Sequence, residues 1–336
     1  MIIVFAETLL LEGGLRAFCW IKNKQQSPAA VYHDILGWQP VPFHSQVSFY
    51  PGYGEVEFTS QTYGFRLFGD SATEKIKILI IGDSFTQAEM ISDGKVYYHH
   101  FPKTDPNIEL FAFGANGYGT LQEYMILDRY IDKINPDLIL WQFCSNDLVN
   151  NSFALESSSY LHNNEMLRPY YHPATDSIEL LYPQPYSRWA DRLIQGSYLC
   201  KVLKIGQNIQ MAEKFGSIEE RLTSHDSLFI DAVKITGAIM AKVRKRAAGT
   251  PVVAFAVITD DFPAVDDSIF SRIALAQGMH YIDGINQALA SAQKEGISID
   301  GFKDGGDEHW NEYSHAVAGK MIYDFLKANN LLKKKR

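Results

Sequence analysis

Cysteine is scarce in this chain of 336 residues: there are 3, at Cys19, Cys144 and Cys200. Their wide spacing gives no disulfide framework and no metal-ligand pattern. Cys144 ends an apolar run and reads as a small buried hydrophobe. Basic charge is also in deficit, with 31 Lys and Arg against 39 Asp and Glu, a formal net charge of −8. Phosphate-rich partners need a basic surface, so nucleic acid is not the expected partner. The only basic run, Lys333-Lys334-Lys335-Arg336, reads as a solvated tail. Internal repeats and low-complexity tracts are missing. So is a spanning apolar run: Met1 to Phe18 is apolar but broken by Glu7, Glu12 and Arg16, where a membrane helix needs about 20 mostly apolar residues. The stretch also lacks a basic start and a small-residue cleavage site, which argues against a signal peptide. It reads as an amphipathic helix that packs on the domain or lies at a membrane surface, or as the end of a longer anchor.

What is present is an ordinary globular composition, 46% hydrophobic and 21% charged. Residues 1–74 read as a lead-in arm in which short strands and turns alternate, for example around Pro51-Gly52-Tyr53-Gly54. From residue 75 the pattern becomes strand, loop and helix. Apolar runs at Ile78–Ile81, Glu109–Phe113, Leu138–Phe143, Val252–Ile258 and Met279–Ile282 suit five strands covered on both faces. Helical spacing covers about 121–134, 230–246, 267–276, 285–296 and 312–326. This alternation predicts a parallel sheet with helices on both sides. Residues 150–228, rich in Tyr, Ser, Asn and Pro, interrupt it. They read as an insertion beside the sheet's active end, either a lid or substrate wall or a structural elaboration. Within them, Ser177–Tyr182 suits one arm of a hairpin, and Trp189–Lys214 has helical spacing.

Four loops hold residues capable of chemistry. Gly82-Asp83-Ser84 ends the first strand, where Ser84 is either a nucleophile at a helix start or only a helix cap. Gly114-Ala115-Asn116-Gly117-Tyr118-Gly119 follows the second; its glycines let backbone N–H groups face a bound oxygen, or simply make a turn. It has no P-loop ending. Cys144-Ser145-Asn146-Asp147 follows the third, where the Asn146 amide is an oxyanion donor or a cap. Asp307-Glu308-His309-Trp310 precedes the last helix, and a histidine flanked by acids suits a general base. His99, His100, His162, His172 and His315 lack such a context and read as structural or solvated. No His-Glu-x-x-His motif is present, so no metal is expected.

Taken together and in this order, the four blocks resemble the SGNH/GDSL hydrolase superfamily, with Ser84, Gly117, Asn146 and His309 at the positions that name it. The resemblance spans about residues 75–326 without the insertion. It implies a three-layer α/β/α flavodoxin-like sandwich around a five-stranded parallel sheet, and a serine esterase needing no cofactor. It also implies roles: Ser84 as nucleophile, His309 as base, Asp307 as the acid that orients it, and Gly117 and Asn146 as oxyanion donors beside the Ser84 N–H. The last block departs from the commoner Asp-x-x-His, because position 306 is glycine, so Asp304 and Glu308 stand as alternative acids. Cys144 replaces the usual glycine of the third block. The Asp-x-His-Trp form looks like relatives that add or remove acetyl groups on polysaccharides. A small-molecule or glycan ester is therefore the expected substrate, with an acyltransferase or a non-catalytic carbohydrate-binding module as alternatives. Relatives of this layout suggest the cell envelope or the exterior, with membrane association through the N-terminus.

Overall fold

The computed structural model describes residues 7, 10–17, 30–50, 54–159, 162–163, 166–183, 197–200, 217–302 and 307–335, with single positions between 202 and 214. Its centre is a six-stranded sheet. In chain order the strands are β1 (Leu67–Phe68), β2 (Ile76–Gly82), β3 (Ile108–Gly114), β4 (Leu138–Cys144), β5 (Val252–Val257) and β6 (His280–Tyr281). In space they run β6-β5-β4-β2-β3-β1. β2 to β6 are mutually parallel and occupy the five places that the apolar runs predict. β1 corrects the expectation of a purely parallel five-stranded sheet. It is a two-residue antiparallel strand that closes the β3 edge, pairing Leu67 with Ala112 and Phe68 with Phe111.

Side-chain alternation along the strands builds two cores. Leu79 and Ile81 of β2, Ile139, Trp141 and Phe143 of β4, and Ala254 and Ala256 of β5 face one layer. Helices Thr120–Ile134, Ser227–Ala247 and Asp267–Ala276 cover it. Ile78, Ile80, Leu138, Leu140, Val253 and Phe255 face the other, under helices Ile285–Lys294 and Glu312–Ala328. Each β2 isoleucine named here is 0% exposed. Full burial of one such side chain contributes roughly 1.5–3 kcal/mol. The result is a three-layer α/β/α sandwich.

The order of the parallel strands places β2 between β3 and β4. The loops leaving β2 and β3 therefore diverge from those leaving β4 and β5 at the β2/β4 boundary. Open α/β sheets form their ligand crevice at such a switch point, outside the carboxyl ends of the strands.

Residues of the lead-in region pack into this body. Leu36, Trp38 and Phe65 belong to the first core. Hairpin Ser45–Tyr50 with Gly54–Thr59 stands beside the β2 loop. In the 150–228 region, strands Arg168–His172 and Ser177–Leu181 form the expected hairpin. Most of the expected helix at 189–214 lies outside the described residues. Of the N-terminal stretch, Glu12 accepts hydrogen bonds from Ser197 Oγ and from the Tyr198 and Leu199 N–H groups. Among the described residues no helix is long and apolar enough to cross a membrane.

Candidate active site

β2 ends at Gly82, and a four-residue helix, Ser84–Gln87, starts at once. Its cap is Asp83, whose carboxylate accepts from the Phe85 N–H at 3.0 Å. Ser84 is thus the first helical residue and is not needed as a cap. Its hydroxyl lies 2.7 Å from His309 Nε2, in range to donate to that ring nitrogen. His309 sits on the short strand Asp307–Trp310, which pairs antiparallel with Asp300–Phe302. Its ring stacks on Phe85, with centroids 4.8 Å apart. Phe85 also meets Trp310 edge-on at 5.5 Å. The residue after the serine therefore braces the imidazole that faces the serine.

Two glycines of the second block do different work from one another. A Cβ on Gly114 would lie 2.1 Å from Gln87 N and 2.6 Å from Asp83 O, so the end of β3 touches the serine turn as backbone on backbone. Gly117 instead has φ +70°, the left-handed region that glycine enters freely. Its carbonyl accepts from Arg168 Nη2 at 2.8 Å, which ties the loop to the 168–172 strand. Asn146 begins the helix after β4 without capping it through its side chain. Its Oδ1 is buried and has no partner among the described residues. The side chain is not consumed by local structure.

Ser84, Gly117, Asn146 and His309 all line one cavity of about 750 Å³. Four of the five residues singled out in the sequence thus meet there. The fifth, Asp307, has its backbone in the strand, but its side chain, that of Glu308, and the whole of Asp304 lie outside the described residues. The choice among the three acids carries over unchanged from the sequence.

The cavity also contains residues that the sequence left at a structural default. His162 reaches it from the 150–228 region, and its Nε2 lies 2.7 Å from Asp261 Oδ2 on the loop after β5. Burial acts against the imidazolium, but the Asp261 carboxylate, with Glu219 and Glu156 behind it, raises the His162 pKa. His315 lies on the wall fully buried, and burial lowers its pKa to about 3, so it is neutral. Neither had a local signal, because Asp261 beside His162 and Tyr97, whose N–H donates to His315 Nδ1, are distant in the chain.

Behind the loops, three carboxyl groups are buried completely: Asp83, Glu123 and Asp147. Burial pushes all three up, and the neighbouring carboxylates push Glu123 and Asp147 further. Asp147 Oδ2 accepts from the Cys144 N–H at 3.1 Å and so shapes the turn that presents Asn146. Glu123 did leave a trace in the sequence: it occupies the buried helical stripe of Leu127, Tyr130 and Ile134. Cys144 is buried as expected, which raises its thiol pKa. Among the described residues no group of His, Cys, Asp and Glu could hold a metal ion.

The lead-in region supplies the outer wall. Buried Arg66 donates from Nη1 to the Gln87 and Ala88 carbonyls and from Nη2 to that of Ile91. It also pairs with Asp93 at 3.0 Å. Trp38 Nε1 donates to the Asn116 carbonyl at 3.0 Å, next to Gly117.

No family model matches the chain, and no curated protein matches it. Solved structures with a similar fold include an α/β hydrolase enzyme from the metagenome of Lake Arreo, Spain, at 12% identity. It covers 79% of this chain and 99% of that one, with TM-score 0.43. An acetyl xylan esterase is 14% identical over 75% of this chain and 100% of its own, with TM-score 0.42. A lipase/acylhydrolase from Enterococcus faecalis is 13% identical over 77% and 98%, with TM-score 0.39.

Proposed function

We propose that the chain is a serine esterase of the SGNH/GDSL type. The observation that carries this reading is the 2.7 Å approach of Ser84 Oγ to His309 Nε2 at the switch point of the sheet. Ser84 Oγ attacks the ester carbonyl carbon while its proton passes to His309 Nε2. The developing oxyanion is held by the Ser84 and Gly117 N–H groups and the Asn146 amide. His309 then returns the proton to the leaving alcohol, and the acyl group stays on Ser84 until a water, deprotonated by His309, releases it as the acid. Asp307 is the proposed acid that fixes the imidazole tautomer. No step calls for a metal or organic cofactor.

The acyl group is proposed to be acetyl and the alcohol a carbohydrate hydroxyl. A cavity of this size holds a sugar unit with a short acyl chain. Retention of a hydrogen-bonded serine and histidine argues against a purely binding role.

Replacing Ser84 with Ala is expected to abolish turnover of p-nitrophenyl acetate in a protein that still folds. A fluorophosphonate probe should label wild type once, at Ser84. Undiminished hydrolysis by the alanine variant overturns the assignment. Asp307→Asn should lower kcat by orders of magnitude. If only Asp304→Asn or Glu308→Gln does so, the orienting acid is that residue.

A further inference from the structure

Glu89 lies on the turn directly after the serine helix and lines the same cavity. Its carboxylate is held from two sides. Asn116 Nδ2 donates to Oε2 at 3.0 Å, and Gln46 Nε2 donates to Oε1 at 3.2 Å. Asn116 is itself fixed: its N–H donates to Gln87 Oε1 at 2.6 Å, and its carbonyl takes the Trp38 indole. Three separate elements therefore converge on this carboxylate: the serine loop, the Gly117 loop and the lead-in hairpin. None brings a positive charge. Among the described residues no Lys, Arg or His pairs with Glu89, and none of the described residues lining the cavity is Lys or Arg. Among the described residues lining the cavity the other carboxylate, Asp261, is already matched by His162. Among the described residues Glu89 is thus a negative charge without a cationic partner, fixed by neutral amides, beside the nucleophile.

Amide clamps leave a carboxylate's charge in place, and each of its oxygens has capacity for more than one donor. A ligand hydroxyl or ammonium can complete that set. A ligand carboxylate, sulfate or phosphate meets an uncompensated like charge in a partly desolvated cleft, where Coulomb energies are larger than in water.

We infer that Glu89 is a specificity-determining residue of this pocket. It accepts hydrogen bonds from the alcohol part of the ester, selects neutral polyhydroxyl or ammonium-bearing acceptors, and rejects anionic ones. The inference rests on the esterase reading and extends it to substrate charge.

The test uses three methyl glycosides acetylated at the same ring hydroxyl: a glucoside, a glucosaminide and a glucuronide. With wild type at low salt, kcat/KM for the glucuronide should fall about tenfold or more below the glucoside. The glucosaminide should equal or exceed the glucoside. Glu89→Gln should bring the glucuronide to within about threefold of the glucoside and remove the glucosaminide's advantage. A purely structural role for Glu89 would lower all three together. Raising ionic strength from about 0.02 to 0.5 M should narrow the wild-type ratio through screening, which tests the charge without any variant. A wild-type preference for the glucuronide, a ratio indifferent to both salt and Glu89→Gln, or turnover of p-nitrophenyl acetate with none of the sugar esters overturns the inference. Hydrolysis that survives Ser84→Ala overturns the esterase reading instead, so the two failures are distinguishable.

Discussion

Gly114→Ala isolates the contact that positions the nucleophile. Gly114 does not have positive φ, so alanine meets no backbone strain there and the Cβ is the only addition. That Cβ would stand 2.1 Å from Gln87 N, against an ordinary contact of at least 3.4 Å. Something must therefore yield by about 1.3 Å, and the candidates are the end of β3 and the turn carrying Ser84. Overpacking of this kind costs about 1–3 kcal/mol. For a chain of 336 residues the entropy of unfolding near the midpoint is about 0.7 kcal/mol/K, so Tm should fall by only about 1.5–4 °C. Catalysis should suffer far more, because a displacement near 1 Å costs about 10²-fold in rate. The assay is kcat/KM for p-nitrophenyl acetate alongside Tm by calorimetry. Gly237→Ala is the matched control: no atom lies within 4 Å of its added Cβ, and it sits inside the Ser227–Ala247 helix. There alanine should stabilise by about 0.8–1 kcal/mol and leave the rate alone. A Gly114→Ala enzyme with wild-type kcat/KM would refute the claim that β3 sets the position of Ser84.

Arg66→Lys keeps the charge but cannot span the Gln87, Ala88 and Ile91 carbonyls together with Asp93. It should cost about 1–3 kcal/mol through carbonyls left without a donor and reduce activity in parallel, read by urea titration and ester turnover; a change under about 0.5 kcal/mol would show the clamp to be dispensable. His315 is neutral in the folded protein down to about pH 3, while in the unfolded chain it takes a proton near 6.5. The unfolded state therefore binds more protons between these values, and stability is lost as pH falls from about 6.5 towards 3. His315→Gln should flatten this loss in urea titrations at pH 7, 6 and 5, and an unchanged slope would refute it. Asp261→Asn should lower the pH at which His162 titrates, read as the midpoint of its ring-proton shifts in NMR; an unmoved midpoint would show that Glu219 and Glu156 suffice.

The parallel strands were readable because a strand buried on both faces must be apolar throughout, and Ile78–Ile81 or Leu138–Phe143 have no other use for such a run. The Ser84, Gly117 and Asn146 loops were readable because each directly follows such a strand, and His309 because it stands just before the last helix. β1 was not: two residues carry no period. The acid beside His309 stays undecided for a different reason, since the three candidates lie within five residues and spacing alone does not separate them. The outer wall was invisible because its contacts are remote in sequence. Trp38 and Asn116 are 78 residues apart, and Gln46 and Glu89 are 43. Glycine, too, was readable as a type but not as a purpose, since Gly114 serves close packing and Gly117 a positive φ.

The Arg66 clamp bears on where this chain can be cut. All four segments that hold the site residues lie after residue 75, so a shortened version starting there would look complete by its motifs. It would lack the guanidinium that gathers the Gln87, Ala88 and Ile91 carbonyls, the indole over the Gly117 loop, and one of the two amides on Glu89. Such a fragment would keep the nucleophile and its base yet leave the pocket open on one side. For anyone trimming the chain to a minimal catalyst, the stretch before the first motif belongs to the working part.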